Sequence, residues 1–136
     1  MKKKSLNIAC LGAGNHAFKN TLPTLQNLKN FQLSGIYVRD LKKNFDKIKK
    51  FDCKISDDLN KILNIKNLKA VYISSQPSSH YNLARKALLS DKHVIIEKPA
   101  VINLYQAKKL YSLAIKKKLV IMEAFMYKYH AQFSAL

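Results

Sequence analysis

A chain of 136 residues has room for one full core, and 48% hydrophobic residues with three glycines and three prolines is a globular composition, so a disordered chain is excluded and one domain is expected. The formal charge of +17, from 25 basic against 8 acidic residues, invites a polyanionic partner. Arg39 and Arg85 are the sole guanidinium groups, however, and the lysines are spread over every expected helix, so specific base reading is disfavoured and a solvated lysine surface with weak anion binding is preferred.

The N-terminal Met1-Lys2-Lys3-Lys4 runs straight into the alternating start of a strand rather than into the apolar run of about 7–15 residues of a signal peptide. No run approaches the roughly 18 apolar residues of a membrane helix, and a cytoplasmic protein is expected. Apolar runs bounded by turn residues recur at 6–11, 31–38, 70–74, 93–96 and 119–122, and such near-continuous runs mark strands buried on both faces. Between them lie helical spacings, with Tyr81, Ala84 and Leu88 on one face and Leu104, Ala107, Leu110 or Tyr111, and Ala114 on another. The alternation predicts an α/β fold, a doubly wound and mainly parallel Rossmann-type sheet with helices on both faces and right-handed crossovers.

Thr21-Leu22-Pro23 interrupts the first helical stretch, and proline suits only a first turn, so a short turn is expected after residue 17 and a helix from about Pro23. Ser56, with Asp57 and Asp58 behind it, has the form of an N-cap and acidic first turn. Cys10 falls in an apolar strand and Cys53 in a short segment, with no CxxC or histidine pairing to make a metal site, so two reduced thiols are expected.

In such sheets ligands bind beyond the carboxyl ends of the strands. The first strand runs into Gly12-Ala13-Gly14-Asn15-His16-Ala17, a GxGxxA turn of the kind that brings a dinucleotide diphosphate to a helix start. Gly12 permits the tight turn, Gly14 lets the backbone approach the phosphates and Ala17 keeps the helix near the sheet, so Gly12, Ala13, Gly14, Asn15 and His16 are the expected cofactor contacts. The second strand ends Val38-Arg39-Asp40. Val38 at the tip with Arg39 beside it leans towards NADP, whereas Asp40 at the tip would favour NAD, which leaves NAD open.

Ser75, Pro77 and His80 follow the strand at 70–74, where the nicotinamide end of a cofactor passes, and Ser78 is placed to cap the next helix. Glu97-Lys98-Pro99 follows the strand at 93–96 and faces the cleft. A lysine there can donate to a substrate hydroxyl, which makes Lys98 the best catalytic candidate.

Taken with Glu123-Ala124-Phe125-Met126-Tyr127-Lys128-Tyr129-His130, these motifs resemble the glucose-fructose oxidoreductase, inositol dehydrogenase and rhizopine-catabolism (Gfo/Idh/MocA) oxidoreductases. The last stretch is similar to the family's EAFMYRYHP, with Lys128 for arginine and Ala131 for proline. The resemblance implies that Lys98 stands beside the nicotinamide and the reacting oxygen, that Glu97 helps to orient it, and that both touch the cofactor. It also implies hydride transfer to or from a hydroxyl or keto carbon of a sugar, cyclitol or sugar nucleotide.

A division is expected between an NAD(P)-binding domain at 1–122 and a link at 123–136 towards a substrate domain that this chain lacks. The family's second acid-base residue lies in that domain, and a homo-oligomer would form through it. The chain is therefore expected to be a fragment or truncated product without a complete active site, and the alternative is a nucleotide-binding module that turns nothing over. Ala124, Phe125, Met126, Tyr127, Tyr129, Phe133 and Leu136 form an apolar set that a second domain would cover.

Overall fold

The computed structural model describes residues 5–134; Met1 to Lys4 and Leu136 of the sequence expectations lie outside it. Alternation of side chains along β1 (Leu6–Leu11) sends Ile8 and Cys10 to one face of the sheet and Ala9 and Leu11 to the other, and all four are fully buried. A strand buried on both faces belongs in the middle of a sheet covered twice. The order is β3-β2-β1-β4-β5-β6, formed with β2 (Phe31–Tyr37), β3 (Lys54–Ser56), β4 (Ala70–Ile73), β5 (His93–Ile96) and β6 (Ile121–Glu123). Every neighbouring pair is parallel.

Two cores follow. On one face Ile8, Cys10, Leu33 and Ile36 pack against Ala17, Phe18, Leu22 and Leu25 of the first helical stretch and against Ile48 of α2 (Leu41–Ile48). On the other, Leu11, Val71, Ile73 and Val94 meet α3 (Leu59–Leu63), α4 (Pro77–Leu89) and α5 (Leu104–Lys117). Gly35 keeps β2 close to α3 and the residues after it, since a Cβ there would stand 3.3 Å from Ile62 of α3 and 2.6 Å from the Ile65 side chain just beyond it. The pairing shifts register between Ile8 and Ala9, which skips Ser34 and lets both Leu33 and Ile36 face the same core.

Four local expectations are corrected. No separate turn precedes Pro23: the helix runs from Asn15 to Asn27, with wide π-type turns over Ala17–Thr21 and regular turns in α1 (Leu22–Asn27). Leu22 donates to the carbonyl five residues back, on Ala17, so the widened stretch absorbs the place where Pro23 has no N–H to give. The residues around Ser56 form β3, and Asp58 caps α3 by accepting from the Asn60 N–H at 2.9 Å, while the Ser56 hydroxyl accepts from Asp58. Ser78 caps nothing, because Pro77, with its φ preset, already occupies the first turn of α4 and Gln76 holds the cap position.

On α5 the inward stripe is Ala107, Leu110 and Ala114, with Leu104 and Tyr111 exposed. At about 100° per residue, Leu104 sits about 120° around from Leu110 and leaves the stripe. Among the described residues no helix is long and apolar enough to cross a membrane.

Candidate functional site

The strand order reverses between β1 and β4, and a cleft of about 830 Å³ opens there, beyond the carboxyl ends of the strands. Its floor is the glycine turn. Gly12 has φ +76° and donates to the Tyr37 carbonyl at 2.9 Å, and a Cβ on it would fall 2.4 Å from Ser75 Cβ. Both the backbone sign and the closeness of the β4–α4 loop require glycine. Gly14 is exposed to the cleft and bonds through its N–H to the Ser74 carbonyl at 3.3 Å, while Ala17 behind it is fully buried against the sheet.

At one end of the cleft, β2 stops at Tyr37 and the next residue, Val38, is buried with its N–H on the Ser56 carbonyl. Arg39 is exposed and lines the cleft with Lys43 and Asn44 of α2. Asp40 also borders the cleft, but its carboxylate is engaged as the N-cap of α2, accepting from the Lys43 N–H at 2.9 Å. The tip of the strand therefore carries an apolar side chain and is flanked by two cations.

The opposite wall is the β4–α4 loop. Ser74, Ser75, Gln76 and Ser79 line it, and the Ser79 hydroxyl donates to the Ser75 hydroxyl at 3.0 Å. Pro77 is exposed on the first turn of α4 and does not border the cleft. His80 does not border it either, contrary to expectation. Its position continues the buried stripe of α4 through Ala84, Ala87 and Leu88, and it is 1% exposed. Its ring nitrogens lie 2.9 Å from the Pro99 carbonyl oxygen and 3.0 Å from that of Ser75, so it packs between two cleft loops from behind, its tautomer selecting which carbonyl receives the ring N–H.

Glu97 and Lys98 border the cleft at the end of β5, Glu97 donating its N–H to the Ile73 carbonyl at 2.9 Å and Lys98 exposed before a cis peptide to Pro99. The Glu97 carboxylate is turned away from the lysine head. Its Oε1 accepts from the Tyr72 hydroxyl and lies 3.6 Å from His16 Nε2, and its Oε2 takes the Lys98 N–H at 3.3 Å. Among the described residues no ion pair links Glu97 to the Lys98 ammonium, so the coupling between them runs through the backbone. Burial first, and then the bond to Glu97, push the Tyr72 phenol well above its ordinary range, so it serves as a neutral donor. Glu123, at the end of β6, accepts from the Ala100 N–H at 2.8 Å and fixes the far side of the Lys98 turn.

Of the expected site residues, Gly12, Ala13, Gly14, Asn15, His16, Arg39, Ser75, Glu97 and Lys98 are brought together. Gln76 and Ser79 belong to the polar segment that the sequence places after the strand at 70–74, whereas Tyr72 and Lys43 were missed. Tyr72 pairs with Ile95 across β4 and β5, which puts Glu97 two residues further on the same face, a diagonal neighbour that only the register reveals.

A parallel sheet with a glycine turn at its topological switch point defines the Rossmann class of dinucleotide-binding domains. The description "Oxidoreductase family, NAD-binding Rossmann fold" matches residues 6–125, and the chain belongs to this family, Gfo/Idh/MocA. It is 32% identical over 129 residues to an uncharacterized oxidoreductase of Synechocystis, covering 94% of this chain and 34% of that protein. It is 27% identical over 130 residues to the dTDP-3,4-didehydro-2,6-dideoxy-alpha-D-glucose 3-reductase of Saccharopolyspora spinosa, covering 96% of this chain and 39% of that one. The crystal structure of a 3-ketoreductase from Actinomadura kijaniata, in complex with TDP-benzene and NADP, shares the fold with a TM-score of 0.89 at 24% identity, over 97% of this chain and 41% of that one. The chain thus spans about two fifths or less of the length of these relatives.

Proposed function

We propose that this chain is the cofactor-binding part of an NADP-dependent oxidoreductase that exchanges hydride between the nicotinamide and a hydroxyl or keto carbon of a sugar, cyclitol or sugar nucleotide. The observation that carries the reading is the pair of cations, Arg39 and Lys43, beside a strand tip whose nearest carboxylate, Asp40, is engaged as a helix cap. A 2′-phosphate fits the two cations of that corner, whereas the carboxylate nearest a ribose 2′-hydroxyl already has one oxygen committed to the Lys43 N–H.

Bound, the cofactor supplies the hydride carrier. The chain's own residues do the rest. With the Gly12 and Gly14 N–H groups held by the Tyr37 and Ser74 carbonyls, the N–H groups of Ala13, Asn15 and His16 are the ones the turn offers to the diphosphate at the start of the helix, and the bare Gly14 Cα leaves room for it. Ser75 and Ser79 offer hydroxyls along the way to the nicotinamide end. There Lys98 holds its ammonium at the cleft, placed to hydrogen-bond the reacting oxygen and to supply or take its proton, while Glu97, held by Tyr72, fixes the strand end that carries the lysine.

The sugar-nucleotide reductases among the relatives support a sugar-like substrate. Residues 1–122 form the cofactor domain in this reading and 123–136 lead to a substrate domain, with Glu123 still paired in β6. Two free thiols are consistent with a cytoplasmic protein. Titration with NADPH and NADH tests the proposal: NADPH binds more tightly, and Arg39→Ala removes the difference. Equal or tighter NADH binding by the unaltered chain refutes the assignment.

A further inference from the structure

The helix α2 carries a second cation that the cofactor reading has not used. Lys43 and Lys47 stand one turn apart on α2, and while Lys43 borders the cleft, Lys47 reaches across to the glycine turn. Its ammonium donates to Asn15 Oδ1 at 3.2 Å and lies 5.6 Å from the centre of the Phe18 ring, so two groups of the first helical stretch hold it in place. Asn15 directly follows Gly14 and itself lines the cleft, at the residue where that helix begins.

The surrounding acids are engaged elsewhere. Asp46 pairs with Lys49 at 2.8 Å and Asp40 caps the helix, and among the described residues no carboxylate forms an ion pair with Lys47. Lys47 does not itself border the cleft, and the hydrogen-bond partner of its ammonium is the neutral amide oxygen of Asn15, which does. A phosphate oxygen adds an opposite charge to the ammonium's hydrogen bond, which an amide oxygen does not.

We infer that Lys47 supplies the counter-charge for the diphosphate of the dinucleotide, as Arg39 and Lys43 do for the 2′-phosphate. This rests on the reading of the cleft as a nicotinamide dinucleotide site. The two assignments separate by ligand. A cation at the diphosphate acts on NADPH and NADH alike and leaves their ratio unchanged, and it has no effect on 2′-AMP, which carries the adenosine and 2′-phosphate alone.

The test is to titrate the chain and its Lys47→Gln and Lys47→Arg variants with NADPH, NADH and 2′-AMP at several salt concentrations, thermal unfolding being followed alongside. Lys47 is exposed, so both variants should fold like the parent. Lys47→Gln is expected to weaken both dinucleotides by the same factor, about three- to tenfold, with a shallower salt dependence. It should leave 2′-AMP unchanged, and Lys47→Arg should restore most of the loss. Unchanged dinucleotide affinity in Lys47→Gln, a changed NADPH to NADH ratio, or weakened 2′-AMP binding overturns the inference while leaving the cleft reading intact. Failure of the unaltered chain to bind either dinucleotide overturns both.

Discussion

Exchanging each glycine of the turn for alanine should separate folding from binding. At Gly12 an added Cβ meets Ser75 at its Cβ (2.4 Å), Cα (3.0 Å) and N (3.2 Å), and the residue has φ +76°. The Ser75 segment has little freedom to withdraw, because the buried His80 ring packs behind it, 3.0 Å from its carbonyl oxygen. A left-handed non-glycine residue costs about 1–2 kcal/mol and overpacking about 1–3 kcal/mol, so Gly12→Ala should lose about 2–5 kcal/mol. For a chain of this size that corresponds to a fall in Tm of about 8–20 °C.

At Gly14 the new Cβ would meet the Ser74 carbonyl oxygen at 3.5 Å, an ordinary contact. Gly14→Ala should therefore stay within about 1 kcal/mol of the parent in stability, yet weaken NADPH about tenfold or more by standing where the diphosphate approaches. Thermal unfolding with and without NADPH, together with a binding titration, measures both halves. Gly12→Ala melting within about 2 °C of the parent, or Gly14→Ala melting as low as Gly12→Ala, refutes the steric argument.

In a version of the chain completed by the substrate domain proposed above, Lys98→Ala should lower kcat by about 10² or more with little change in NADPH affinity, since the lysine lies at the opposite end of the cleft from Arg39; steady-state kinetics and titration decide it. Burial, and secondarily the neighbouring Cys53, push the Cys10 thiol up to about 12 from an ordinary value of 9.0, and burial, then Asp52, raises Cys53 to about 11. A raised folded value favours the neutral form, so this stabilisation is complete below about pH 9 and is lost as pH rises towards 12, which denaturant melts across that range would show. Thiol titration at neutral pH should find half-buried Cys53 slow and Cys10 unreactive until the chain unfolds. Met126, Tyr127 and Tyr129 are 67%, 53% and 77% exposed, so the chain should self-associate more than one ended after Ala124, which keeps β6 whole; light scattering compares them.

The alternation of strands and helices was legible because each central strand is apolar on both faces and each helix is apolar on one, a pattern local enough to read one segment at a time. The GxGxxA turn and Glu97-Lys98-Pro99 were legible for a similar reason, since each directly follows a strand and needs no knowledge of the neighbours. Short elements were not. At three residues β3 carries too few alternations to stand out, and Ser56 looked like a helix cap because two acids follow it. The π-type turns before Pro23 depend on bonding over five residues, for which the sequence has no periodic mark.

Residue types at the strand ends, the cationic surface and the doubly wound architecture were thus determined by the sequence itself, through burial patterns and strand-to-helix turns that act locally. What side chains meet across the site was decided by tertiary structure. Register sets Tyr72 on Glu97 and turns that carboxylate from Lys98. Helical phase draws His80 into the core between two carbonyls. The capping demand of α2 engages Asp40 and leaves Arg39 and Lys43 facing the cleft. The first two depend on the distance between elements remote in sequence, and their hydrogen bonds are settled only once packing has fixed that distance, whereas the Asp40 cap spans three residues and is local.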